Sequence, residues 1–298
     1  PRRGPGTHEL HASRVIRKRG GSLANMPRVL PVESKNQWFQ RVEALGRSRK
    51  KRHRSGEFLV EGVRSLNQLK ANAQWDIEAF LYAPSRPLSD WARDTLRSSR
   101  ARHHLELSLP LLEELSDKDD VSELLAVVKI PADEPERLRA GPQPLYVLLD
   151  QPSSPGNLGT VIRSCDGLGV DGVVIFGRAA DLYDPRTVRA AAGSLFAQPV
   201  VRITTWGDLK GWLDGVRGQA QDLQLVATTA GEGVWPDEVS FMRPTVLMFG
   251  NESTGLSHKV AELCHVCVSI PMSGSASSLN VAAAATAILY EARRQRRG

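Results

Sequence analysis

Two α/β units in series, the second built on a parallel sheet, are the architecture this sequence predicts. Three observations carry the prediction. Helical and strand periodicities alternate along most of the 298 residues, a length that accommodates two ordinary domains. The strand-like runs of the second half are continuously apolar rather than alternating, as in sheets covered by helices on both faces. Between the two alternating runs lies DEPERLRAGPQP (133–144), whose proline and charge content reads as a linker.

The elements follow in order. Residues 1–32, with PRRGPG and KRGGS, carry no apolar periodicity and read as a disordered basic tail. Met26 offers an internal start, which would make residues 1–25 a non-native extension. From Asn36 the pattern changes: Trp38/Phe39, Val42 and Leu45 fall at helical spacing. RSRKKRHR (47–54) follows, then GEFLVEG as a short strand. Val63, Leu66 and Leu69 mark a second helix. DIEAFLYA (76–83) reads as a strand, LSDWARDTLRSS (88–99) and LPLLEELSD (109–117) as helices, and ELLAVVKIP (123–131) as a strand. The first unit thus spans 33–132 and the second 145–298.

In the second unit LYVLLD (145–150), GVVIFG (172–177), PVVRI (199–203), LQLVATTA (223–230), TVLMFG (245–250) and VCVSIPM (266–272) are the strands. NLGTVIRSCDGLG (157–169), TVRAAAGSLF (187–196), WGDLKGWLDGVR, LSHKVAELC (256–264) and NVAAAATAILYEARRQ are the helices between and after them.

Charge is distributed unevenly. Residues 1–70 hold 17 Lys/Arg against 5 Asp/Glu (+12), and the remaining 228 hold 22 against 28 (−6). A basic front on a mildly acidic body points to a polyanionic partner met through the N-terminal part. RSRKKRHR lies beside a strand inside a folded unit, so Arg47, Arg49, Lys50, Lys51, Arg52 and Arg54 are read as RNA or DNA phosphate contacts. The cysteines, Cys165, Cys264 and Cys267, do not make a disulfide framework, and a reducing cytoplasm is the expected compartment. No apolar run has the ~18 residues that cross a bilayer. No membrane contact is expected.

Two tempting motifs are rejected. GLGVDG (167–172) is a literal G-x-G-x-x-G, but it closes a helix and precedes a strand. A dinucleotide fingerprint does the reverse, so that phosphate meets a helix N-terminus. CHVC (264–267) lacks a second ligand pair, and Cys267 falls within an apolar strand, so no metal is expected.

Three loops at the ends of strands are unusual: DQPSSPGN, FGNESTG and PMSGSASSLN. Ligands of parallel sheets sit beyond the C-terminal strand ends. Taken together, the segments around these loops put Asn157, Arg163, Glu252, Ser278 and Asn280 at one edge of one sheet, a polar cluster over an apolar floor.

PGNLGTVIRSCDGLG, FGNESTGLS and SIPMSGSASSLNVAAAATAIL resemble, in order and spacing, the three motifs of the SpoU (TrmH-like) RNA 2′-O-methyltransferases. SKNQWFQRVEALGRSRKKRHRSGEFLVEGVRSL is similar to that family's L30e-like substrate-binding domain. SPGN, LYDPRTVR, GSLF and IPMSGSASSLN resemble most the actinobacterial avilamycin-resistance branch, uridine 2′-O-methyltransferases of 23S ribosomal RNA. The resemblance implies a SPOUT sheet whose C-terminal segment is threaded into a deep trefoil knot. It implies S-adenosylmethionine as cofactor, and Thr228, Gly250, Asn251, Ile270, Met272 and Leu279 lining its slot, with Ala283 beside them. It implies a catalytic set of Arg163, Asn157, Glu252, Ser278 and Asn280, and a homodimer formed through the methyltransferase domain. It answers why PMSGSASS and VAAAATA are thin: a chain passing through a loop needs small side chains, which let other backbone come close. The expected reaction is 2′-O-methylation of 23S ribosomal RNA, with a role in antibiotic resistance. Transfer-RNA methylation and a non-catalytic RNA-binding or assembly role are the two alternatives.

Overall fold

The computed structural model describes residues 27–116, 121–139 and 141–297. The first sheet has five strands: β1 (Arg28–Val32), β2 (Glu57–Glu61), β3 (Ile77–Tyr82), β4 (His103–Leu107) and β5 (Leu125–Lys129), in the order β1-β4-β3-β5-β2. β5 runs antiparallel to β2 and β3, while the β1–β4 and β4–β3 pairs are parallel. Its helices are α1 (Gln37–Arg47), α2 (Arg49–Ser55), α3 (Val63–Ala71), α4 (Asp90–Arg97) and α5 (Leu109–Leu115).

Two strands here escape the sequence reading. β1 falls where a tail was expected, and Arg28 pairs with His103. Pro31 is tolerated because β1 is an edge strand. The rest of the expected tail lies outside the described residues. β4 reads HHLEL, which looks polar, yet Leu105 and Leu107 are buried and His104 is nearly so.

The second sheet has six parallel strands: β6 (Leu145–Asp150), β7 (Gly172–Phe176), β8 (Val200–Ile203), β9 (Gln224–Thr229), β10 (Thr245–Phe249) and β11 (Val266–Ser269). Their order is β11-β9-β10-β6-β7-β8. The helices are α6 (Pro155–Leu168), α7 (Pro185–Ala190), α8 (Trp206–Gln219), α9 (His258–Ala261) and α10 (Val281–Gln295). Leu145, Val147 and Leu149 of β6 pack on the side of α6, α7 and α10, while Tyr146 and Leu148 pack on the side of α8 and α9. Both faces are covered, which is why these strands are apolar without interruption.

Glycine decides two helix ends. α6 stops at Gly169, which takes φ +77°, so GLGVDG is a cap and turn. The single helix expected over 187–196 instead breaks after Ala190, and Gly193 (φ +99°) leads into a short 3₁₀ turn, Ser194–Phe196. A Cβ on Gly193 would lie 3.0 Å from the Arg64 carbonyl oxygen, so the bend presses this turn against α3. The helix expected over 256–264 is reduced to the four residues of α9.

That turn belongs to the contact between the two halves. Phe196 meets Trp75 edge-on (5.0 Å, 75°), and the Trp75 indole N–H donates to the Phe196 carbonyl at 3.1 Å. Phe58 lies 4.7 Å from Tyr183. One apolar cluster therefore runs from the first sheet into the second. Arg52, expected to meet nucleic-acid phosphate, is buried in this contact at 2% exposure. Its guanidinium donates to Asp181 (2.7 Å), Asp184 (3.3 Å) and the Leu45 carbonyl (2.8 Å), which removes it from any external ligand. The reason is stereochemical: α2 turns this one residue inward, where two acids about 130 positions away neutralise it. The linker is also packed down, with Asp133 bonded to Arg202 at 2.7 Å and Leu138 buried.

Candidate functional site at the C-terminal strand ends

The C-terminal end of β9, the loops after β10 and β11 and the first turn of α6, which follows β6, converge on a cavity of about 780 Å³. Its floor is apolar, with Phe249, Ile270, Leu279, Val281 and Ile288, and its rim is polar. Asn157, Glu252, Ser278 and Asn280 of the expected catalytic set line it. So do all the residues expected at the cofactor slot, Thr228, Gly250, Asn251, Ile270, Met272 and Leu279. Ala283 does not; it is exposed on α10.

Arg163 does not line it either. It stands on an exposed stripe of α6 with Gly156, Thr160 and Gly167. It makes no hydrogen bond or ion pair among the described residues. A second, smaller cavity of about 380 Å³ lies elsewhere, between the two halves, with Glu43, Arg47, Asp184 and Arg186 on its walls.

The rim is organised by Glu252. Its Oε2 accepts from the Ser153 N–H (2.9 Å) and hydroxyl (2.6 Å). Its Oε1 accepts from the Ser154 N–H (3.1 Å) and the Asn157 amide nitrogen (3.1 Å). The Asn157 amide oxygen in turn accepts from Asn280 Nδ2 at 3.0 Å, and Asn280 Oδ1 caps α10 by accepting from the Ala282 N–H at 2.9 Å. One carboxylate and two amides thus tie the three loops together and fix which way each amide faces. Partial burial pushes the Glu252 carboxyl up, but the bonds from Ser153, with Asn157 further down, outweigh it and hold the group at about 2. At neutral pH it is a carboxylate.

The β10 loop folds back on itself. Asn251 Nδ2 donates to the Gln151 carbonyl (2.8 Å) and its Oδ1 accepts from the Ser253 and Thr254 N–H groups. Gln151 adopts φ +54°, uncommon for a residue with a side chain. Gly250 is required: a Cβ there would sit 2.1 Å from backbone atoms of Gly255 and Leu256. Asp150, at the end of β6 and 1% exposed, accepts from the Ser257 N–H at 2.6 Å and pins the far end of the same loop. Sequence reading missed Asp150, Gln151 and Ser153, since an acid closing a strand and a serine in a turn carry no signal of their partners. Among the described residues no His/Cys/Asp/Glu group is arranged to hold a metal ion.

Residues 144–290 match the SpoU rRNA Methylase family, and residues 36–126 match the SpoU L30e-like domain. The chain is 45% identical over 271 residues to the 23S rRNA (uridine(2479)-2′-O)-methyltransferase of Streptomyces viridochromogenes, a span of 91% of this chain and 94% of the relative. It superposes on the SpoU methyltransferase AviRb of that organism, solved with the cofactor AdoMet, with a TM-score of 0.83 at 45% identity, covering 88% of this chain and 98% of the other. An AdoMet-bound rRNA methyltransferase from Sinorhizobium meliloti follows at TM-score 0.79 and 28% identity, over 89% and 98% of the two chains. With the covered parallel sheet and its strand-end cavity, these likenesses place the protein among the RNA methyltransferases. The two matched segments lie in the two halves of the described fold. The chain belongs to the SpoU methylase family.

Proposed function

We propose that this chain transfers the methyl group of S-adenosylmethionine to a uridine ribose 2′-hydroxyl in 23S ribosomal RNA. The observation that carries the reading is the convergence of three glycine- and serine-rich loops on one cavity, with the Glu252–Asn157–Asn280 relay at its rim. The cavity fits the cofactor in size and chemistry. An adenine finds an apolar floor with main-chain groups of the Gly250 and Ile270–Leu279 segments, and no phosphate-binding loop is needed. Thr228, Gly250, Asn251, Ile270, Met272 and Leu279 would hold it. When bound, it supplies an electrophilic methyl group on a sulfonium. The family's threading of the last segment through the preceding loops is part of this reading.

A protonated ribose hydroxyl is a poor nucleophile, so the chain must orient it and stabilise the charge it develops. Asn157, Ser278 and Asn280 shape the target pocket, and Glu252 keeps the first two loops in register. Arg163 supplies the positive charge. A free guanidinium has a pKa above about 12, so Arg163 acts by positioning and charge stabilisation rather than as a base. It is exposed and does not line its own cavity, on a helix joined to α10 through the Ser164–Thr286 hydroxyl bond (2.6 Å). A second copy packed on this face covers it and sets its own Arg163 at its neighbour's cavity, which supports the expected homodimer. Arg47, Arg49, Lys50, Lys51 and Arg54 meet phosphate, and an unpaired or loop RNA segment is the form that reaches the rim. Such a substrate places the enzyme in the cytoplasm, and a modified ribosome gives the expected route to antibiotic resistance.

Calorimetry with S-adenosylmethionine, followed by mapping of 2′-O-methylation on 23S ribosomal RNA with and without the protein, tests the reading. Uptake of the cofactor and one new modified uridine are expected. No uptake, or modification of transfer RNA alone, defeats it.

A further inference from the structure

The first four residues of the loop after β7, Gly177–Ala180, separate the basic helix α2 from the catalytic rim. On one side Arg49 of α2 donates to the Ala179 carbonyl at 2.8 Å. On the other, the Ala180 N–H donates to the Pro152 carbonyl at 2.7 Å, and the next residue, Ser153, holds Glu252. Within this bridge sits Arg178, exposed and without a hydrogen bond or ion pair among the described residues.

Arg163 shares that freedom, whereas several other arginines of this half are engaged. Arg186, Arg202, Arg217 and Arg294 are each paired with a carboxylate. The acids nearest in the chain are already neutralised, Asp181 by Arg52 and Asp184 by Arg52 and Arg186. Arg49 makes one bond to the loop and has further donors to spare. Arg178 thus precedes the residue whose carbonyl Arg49 holds, in the segment between a helix whose Lys50, Lys51 and Arg54 face solvent and the rim where the target ribose must lie.

We propose that Arg178, together with Arg49, holds an RNA phosphate as the last backbone contact before the strand enters the catalytic cavity. A fork of donors beside a planar neighbour suits a phosphodiester, which accepts through two oxygens. The contact carries no base identity; it sets how the strand is placed. Arg178 is a positioning residue. The inference rests on the ribosomal-RNA reading above.

The test compares wild type, Arg178→Gln and Arg178→Lys on an in vitro transcript of 23S ribosomal RNA. Filter-retention binding is measured between about 50 and 200 mM salt, alongside steady-state methylation and calorimetry with S-adenosylmethionine. Arg178→Gln should weaken RNA binding about tenfold, the size of one charge-assisted contact, and lower the salt slope by about 1. The effect should fall on KM for RNA rather than on kcat, and cofactor affinity should hold. Arg178→Lys should regain the slope. An Arg178→Gln variant with wild-type binding and slope overturns the proposal, as does one whose loss falls equally on cofactor binding. Binding needs no turnover. A wild type that binds the transcript steeply with salt but does not methylate it therefore sinks the catalytic reading, and the two variants still decide Arg178.

Discussion

Arg52 and Glu252 each join segments far apart in sequence, yet they sit in opposite surroundings. Arg52 is buried between the two halves and meets Asp181 and Asp184, also largely buried. Glu252 is exposed at a cavity rim and meets hydroxyl, backbone and amide donors. A buried ion left without its partner is costly, whereas an exposed one is re-solvated. The first network therefore holds the molecule together, and the second holds the loops at the cavity rim in an arrangement that the fold can survive without. Polar groups that look alike in a sequence divide by burial into these two kinds.

The contrast can be broken by experiment. Arg52→Ala should lose about 3–5 kcal/mol of unfolding free energy, as removal of one partner of a buried pair does. Urea denaturation reads it, and a loss under 1 kcal/mol would mean the pair is not desolvated. Glu252→Gln should lower kcat/KM about a hundredfold, the scale of a displaced catalytic geometry. Its stability should stay within about 0.5 kcal/mol of wild type, as at other exposed positions. An equal loss of stability would erase the distinction. Lys50→Ala combined with Arg54→Ala should reduce the salt slope of RNA binding by about 2, again without a change in stability.

The smallest effect sharpens the comparison through pH. Burial lowers the His53 pKa from 6.5, with Arg202 and Arg49 adding to it against Asp181. Below 6.5 the unfolded chain therefore binds more protons than the folded one. Stability should be full above 6.5 and slip as pH falls through the lowered folded value. His53→Gln should remove that slope. Glu252, held at about 2, stays ionised from pH 7 to 5, so its bonds should not change over that range. Proton NMR of the imidazole and carbon NMR of the carboxyl give both titrations.

Much of this was legible beforehand, and the failures have physical causes. Continuous apolar runs gave away the six parallel strands, because burial on both faces leaves no polar phase to read. Three loops rich in small residues marked the site, since close backbone approach at Gly250 allows nothing larger. HHLEL hid β4 because two histidines mask two buried leucines. RSRKKRHR hid Arg52 because a charge run shows no sign of which member turns inward to distant acids. Arg163 and Asn157 are six apart on α6, which is not one face, so only Asn157 lines this cavity.

The aromatic seam of Phe58, Trp75, Tyr183 and Phe196, with the bend at Gly193, leaves the first half no hinge about which to swing. The span from the solvent-facing side of α2 to the methyl-transfer point is then a constant of the molecule. On the function proposed above, the target nucleotide is then expected at a set distance from the α2 grip.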